Sequence, residues 1–208
     1  MAILFSNRVP KEVLDRIIYR SEKLGIEPDW FMFLGDWESG LSSTIENSCG
    51  CVGVIQFCAD KYSAPCVPAV DYKTINGKRY KLSDIKNMPF VQQIDLAFDY
   101  LEEQRGVFRR FASYSDLYFA ILYPSAIGKP DDYVLNTQSN PVFDINPKDG
   151  KVTVGEVKQY LDNRVREKDS KGLFRVPQQY WNIFFKKKTF GSCIKMKSSF
   201  GEELRLVA

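Results

Sequence analysis

The sequence predicts a mostly helical α+β domain, and three observations predict it. Long segments carry apolar residues at helical spacing between clear start and stop signals. A single Asn76-Gly77 pair flanked by alternating residues marks one small β-hairpin. Fifteen Phe, eleven Tyr and three Trp in 208 residues supply the large side chains that a buried core requires.

In chain order, Pro10 to Leu24 reads as a helix. Val13, Leu14, Ile17, Ile18 and Leu24 form its stripe and Gly25 stops it. A second helix runs from Pro28-Asp29 to about Glu38 and ends at Gly40. It is apolar on most sides, which places it centrally. Residues 39–52 read as a polar loop, and Gly53-Val54-Ile55-Gln56-Phe57 opens a further short element. Residues 71–82 form the hairpin. Pro89 opens an amphipathic helix carrying Phe90, Ile94, Ala97, Phe98 and Leu101. Ser115 is placed to cap a helix from Asp116 to Tyr123, halted by Pro124. Thr153 and Glu156 form a capping box for a helix carrying Val157, Leu161 and Val165.

Composition excludes whole classes of chemistry. The chain has no histidine, which removes Ser-His-Asp and Cys-His catalysis and His-ligated zinc sites. Carboxylates, Tyr, Lys or a thiolate must carry any reaction. No apolar run approaches the ~20 residues of a membrane helix. The N-terminus has none of the three regions of a secretory signal, so a secreted disulfide scaffold is not expected. The five cysteines, Cys49, Cys51, Cys58, Cys66 and Cys193, are expected to be reduced and partly buried. The spacing of the first four lacks the paired knuckles of a zinc site.

The formal charge is +3, but residues 164–197 hold ten Lys/Arg and two acids. The remaining chain is therefore net acidic. A basic, aromatic end at 166–208 on a body at 1–165 suits contact with an anionic polymer, whether bacterial wall polymer, lipopolysaccharide or, less expected, nucleic acid; the bland alternative is a solvated tail.

The chemistry converges on Gly35-Asp36-Trp37-Glu38-Ser39-Gly40. On a helix Glu38 stands over Leu34 and Phe31, so its face is apolar, while Asp36 projects elsewhere. A carboxyl in an apolar wall is costly to ionise, and it stays protonated nearer neutrality, ready to act as a general acid. Fifteen residues later comes Gly53-Val54-Ile55-Gln56-Phe57. This order resembles the soluble lytic transglycosylase and goose-type lysozyme family, in which a helix ends in E-S-G or E-S-x and a G-[LV]-x-Q-F element follows. Residues 116–126 look like the later substrate helix of that family, particularly in phage endolysins and virion-associated lysozymes. Its usual Tyr-Asn positions fall here on Ile121 and Leu122.

The resemblance covers roughly residues 10–165 and implies a lysozyme-like fold that cleaves the β-1,4 bond between N-acetylmuramic acid and N-acetylglucosamine. It makes Glu38 the acid/base, Ser39 its supporting neighbour, and Gln56 and Phe57 cleft residues. Tyr118 and Tyr123 are the local aromatic substitutes for substrate contact. A transglycosylase needs no second carboxylate. A hydrolytic variant requires one, for which Glu46 is the first candidate and Asp60 the second. The implied setting is a phage-encoded protein of the host cytoplasm or virion, acting on peptidoglycan strands, with phage tail proteins as possible partners. The rival readings are a non-catalytic tail component and a calcium-dependent binding module.

The calcium reading rests on residues 144–156, which resemble an EF-hand or dockerin-like loop with one inserted residue. Asp144, Asn146, Asp149, the Lys151 carbonyl and Glu156 would be the ligands. The bland reading is a turn feeding the capping box. Catalysis itself requires no cofactor in this scheme.

Overall fold

The computed structural model describes residues 3–64, 66–106, 110–135, 141–145 and 149–170. Six α-helices dominate: α1 (Lys11–Leu24), α2 (Pro28–Ser39), α3 (Leu82–Asn87), α4 (Phe90–Arg105), α5 (Tyr114–Leu122) and α6 (Val154–Ser170). Six short strands form three antiparallel pairs: β1 (Tyr62–Ala64) with β2 (Val67–Pro68), β3 (Tyr72–Ile75) with β4 (Lys78–Lys81), and β5 (Val134–Leu135) with β6 (Val152–Thr153). The α+β, mostly helical class is the one the sequence predicts. Where one hairpin is expected, however, three strand pairs form. The two unforeseen pairs have strands of only two or three residues, too short to leave an alternating pattern.

Local chemistry sets the helix ends. Pro10 and Pro89 precede α1 and α4, where a missing N–H costs nothing. Gly25 (φ 75°) and Gly40 (φ 66°) close α1 and α2 in the left-handed region. Asn76 (φ 49°) and Gly77 (φ 75°) make the two-residue turn of β3–β4, with Ile75 opposite Lys78. One cap differs from expectation: Ser113, not Ser115, accepts the Asp116 N–H at 3.2 Å. The earlier start winds Tyr114 into α5 and packs its ring edge-on against Phe33, centroids 5.1 Å apart.

Helix α2 is the centre of the core. Trp30, Phe31, Met32, Phe33 and Leu34 are each at most 1% exposed, so the helix is surrounded rather than amphipathic. Phe31 stacks on Phe98 of α4 at 4.5 Å. Buried Asp29 accepts the Leu4 N–H at 2.8 Å and ties the N-terminal segment to the first turn of α2. Arg16 and Arg20 of α1 bind Asp95 and Asp99 of α4 at 2.6–3.1 Å. Helix α6 runs past residue 165 to Ser170, with Val157 and Leu161 buried.

Fully buried Gln93 of α4 joins three other segments. Its Oε1 accepts the Val54 N–H at 2.8 Å, and its Nε2 donates to the carbonyls of Ser43 at 2.8 Å and Ile85 at 2.7 Å. Gly53 lies against the same amide. A Cβ there would stand 2.6 Å from Gln93 Oε1, at a φ of 77° that side chains rarely adopt. Gln93→Leu keeps the volume but strands one N–H and two carbonyls. We expect a loss of about 3 kcal/mol or more in urea unfolding, since three polar groups are stranded and each buried one costs ~1–3 kcal/mol.

Candidate functional site

The site is built around the last turn of α2. Gly35 allows the 53–57 turn to approach: a Cβ there would come within 2.8 Å of Leu41 Cδ2 and 3.3 Å of Val54 Cγ2. Ser39 fastens the same junction. Its Oγ donates toward the carbonyls of Gly35 (3.0 Å) and Val54 (2.9 Å) and accepts the Ser42 N–H at 3.1 Å. Buried Ser39 thus ties the helix end to the following loop. Arg8 reaches the end of α2 from outside, pairing with Asp36 and donating to the Gly40 carbonyl at 3.0 Å.

Glu38 sits half-buried at this end. Burial alone pushes its carboxyl up from an ordinary 4.5 to about 7. Two phenols of α5, Tyr118 and Tyr114, feel its charge. Burial is the main cause that raises both, and the Glu38 charge adds to it. They therefore stay neutral wherever Glu38 titrates. The Trp37 side chain hydrogen-bonds Tyr118, and the Trp37 ring meets Phe33 and Tyr160 at 6.4 and 6.5 Å. Rings from α2, α5 and α6 thus pack on one another, and the two α5 phenols among them adjoin Glu38.

The other candidates are placed as follows. The 53–57 segment is neither helix nor strand. It is a tight turn whose ends, Val52 and Phe57, exchange backbone bonds at 3.0 and 2.8 Å. Gln56 stands at φ 54°, half-buried, with Nε2 on the Gly53 carbonyl at 3.1 Å. Phe57 is buried, 6.2 Å from the Tyr100 ring. Burial raises Tyr100 to about 12. Tyr123 is half-buried just beyond the end of α5.

The two candidate second carboxylates are each held by a lysine. Glu46 pairs with Lys86 at 2.8 Å on the wall of a groove of about 980 Å³ between the 46–52 loop, the 68–72 segment and α3. Glu38 does not line that groove. Burial raises Asp60, but hydrogen bonding from Thr74 and the charge of Lys73 outweigh it and hold the carboxyl below its ordinary range.

The cysteines correct the expectation of reduced thiols. Cys51 bonds Cys58, and Cys49 bonds Cys66. The inner bridge closes the 52–57 turn at its base, and the outer one joins the loop to the residue just before β2. Both pairings depend on the chain doubling back through the Val52–Phe57 bridge, a fold-level event that the C-x-C-x6-C-x7-C spacing does not encode. Cys193 lies outside the described residues.

In the 144–156 segment, both Glu156 oxygens have partners. Oε1 accepts the Ile145 N–H at 3.2 Å, and Oε2 accepts the Thr153 N–H and hydroxyl at 2.9 Å each. The reciprocal Glu156 N–H to Thr153 Oγ1 bond, at 3.2 Å, completes the capping box. Asp144 accepts the Gly150 N–H at 2.9 Å and Asp149 the Lys151 N–H at 3.0 Å. Asn146 lies outside the described residues, as does the basic, aromatic segment from 171 onward. Among the described residues, no group of three or more Cys, Asp or Glu is placed to hold a metal.

Sequence reasoning finds Glu38 and Tyr118 but misses Trp37, Tyr114 and Arg8. Trp37 and Tyr114 carry the ordinary signature of core aromatics, and only the packing of both against Phe33 brings them together. No protein-family model, curated protein or solved structure matches the chain.

Two outcomes test this arrangement. Cys51→Ser/Cys58→Ser should lower stability by about 2 kcal/mol, the entropy of so short a loop, measured by thermal unfolding against the parent with and without reductant. Glu156→Gln keeps one oxygen for the two Thr153 bonds but loses the acceptor of the Ile145 N–H. If capping is the role of this loop, the variant should be less stable by about 1–3 kcal/mol, and millimolar calcium should move neither melting temperature. A calcium-dependent rise in the parent that the variant lacks would give the loop a metal instead.

Proposed function

We propose that the chain is a peptidoglycan-cleaving glycosidase in which Glu38 is the single acid/base, of the lytic transglycosylase type. The observation that carries this reading is the carboxyl of Glu38, lifted to about 7 by burial alone and walled by neutral phenols. A carboxyl so placed is half protonated near neutrality, which suits a group that gives a proton and takes one back.

In the reaction, Glu38 donates its proton to the bridging oxygen as the C1–O bond breaks. The resulting carboxylate then takes the proton of the sugar's own C6 hydroxyl as that oxygen bonds to C1. A 1,6-anhydro ring closes and Glu38 is protonated again. The scheme needs no water and no second carboxylate, which accords with Glu46 being paired to Lys86 on a groove that Glu38 does not line.

Glu38→Gln should retain the fold and lose ~10²–10⁴-fold in lysis of purified cell wall, read by turbidity. Persistence of more than a few per cent of the activity would remove Glu38 from the mechanism. Mass spectrometry of the parent's digest should show anhydromuramyl ends. In the parent, cleavage should fall as pH rises through about 7, where the acid form is lost. Stability carries the same mark. The folded state holds an extra proton between 4.5 and about 7, so the parent loses stability as pH rises across that window. The Gln variant lacks this slope and should be more stable than the parent at pH 8, by about 1–3 kcal/mol.

A further inference from the structure

The β3–β4 hairpin carries charge that the rest of the fold does not neutralise. Residues 72–81 hold four basic side chains and no acid. Lys73, on the inward face with Ile75 and Tyr80, pairs with Asp60 at 3.4 Å. Lys78, Arg79 and Lys81 are exposed and, among the described residues, make no ion pair. Elsewhere, Arg8, Lys11, Arg16, Arg20, Lys86 and Arg105 each meet a carboxylate, and Lys23, Lys61, Lys129 and Lys151 stand singly; the hairpin differs in gathering three cations without an ion pair between residues 78 and 81.

Register places them. Lys81 lies opposite Tyr72 and Arg79 opposite Thr74, on the outward face of the ribbon, whereas Lys78, opposite Ile75, stands beside the turn on the other face, its Nζ 4.8 Å from the centre of the Tyr80 ring. The Arg79 guanidinium lies 4.6 Å from the centre of the Tyr72 ring, which fixes its direction without using its hydrogen-bond donors. Tyr72 and the neighbouring Pro68 also line the 980 Å³ groove, so Arg79 stands at its edge.

We propose that this hairpin is a docking surface for the phosphodiester polymer of a bacterial cell wall. Arg79 offers a planar fork to one phosphate, and Lys78 and Lys81 offer point charges to its neighbours. The groove beside Arg79, with the Tyr72 ring and the Pro68 ring on its wall, accommodates the polymer's apolar and hydroxylated portions. Nucleic acid shares the phosphates, and competition between the two polyanions separates them. The inference rests on the wall-directed reading of Glu38 for its choice of polymer, and its test is a binding measurement that needs no catalysis.

The experiment uses the full chain carrying Glu38→Gln, so that walls are bound and not digested. Lys78→Gln, Arg79→Gln and Lys81→Gln are added together. All three positions are exposed, and an unchanged melting temperature verifies the fold. Co-sedimentation is measured on sacculi that retain their phosphodiester polymers and on sacculi stripped of them by acid. The expected result is that the triple change weakens binding to intact sacculi about tenfold or more at low salt. The loss should shrink as salt screens the charges, and binding to stripped sacculi should be equal with and without the three substitutions. Equal binding to intact sacculi by both proteins overturns the proposal. So does a wall-bound protein displaced more readily by duplex DNA than by the soluble phosphodiester polymer, which would assign the surface to nucleic acid. Cleavage of a short soluble glycan by the chain with Glu38 restored reports on the catalytic reading separately: its absence with hairpin-dependent binding intact would sink the enzyme and spare the docking surface.

Discussion

A single carboxamide organises the region on which the candidate site depends. Gln93 is wholly buried, yet its three hydrogen bonds reach the loop after α2, the 53–57 turn and the end of α3. A buried amide is tolerable only when its donors and acceptor are satisfied, and the cost of failing to satisfy them is what makes this geometry specific. Gly53 can approach because it lacks a side chain. Val54 is thereby set so that its carbonyl meets Ser39 and its side chain meets Gly35 of α2. The position of the turn relative to Glu38 is therefore fixed from two sides, by α4 through the amide and by α2 through the serine.

The electrostatics of the α2 end are divided between two carboxylates two residues apart. Asp36 is turned toward Arg8 and has a cation. Glu38 is turned toward rings, and desolvation alone governs it. Their different surroundings follow from the ~100° advance per residue of a helix, which puts the two on nearly opposite faces. The phenols beside Glu38 add to the effect by staying neutral, so they adjoin it without supplying a counter-charge.

How much of this was legible in the sequence depended on range. The ends of α1 and α2, the Asn76-Gly77 turn and the Thr153–Glu156 box are set by neighbours a few residues away, and all are readable. The apolar face beneath Glu38 was readable for the same reason, through Leu34 and Phe31 one and two turns earlier. What escaped depends on distant partners. Gln93 looks like one more polar position on an amphipathic helix until Val54 arrives. The choice of Ser113 over Ser115 is made by Asp116, whose buried carboxylate accepts the N–H groups of Ala112 at 2.9 Å and Gly128 at 3.2 Å. The cysteine pairings required the loop to fold back first.

The Arg8 contact has a consequence for how the site is exposed to change. Through Asp36 and the Gly40 carbonyl, Arg8 of the segment that precedes α1 clamps the turn from which the Glu38 carboxyl projects. The carbonyl end of a helix is its electronegative pole, and here a guanidinium recruited from twenty-eight positions upstream is the counterweight. The leading segment thus behaves as a remote strut. A fusion partner, an affinity handle or a proteolytic nick that displaced it would be transmitted to the turn that carries the acid.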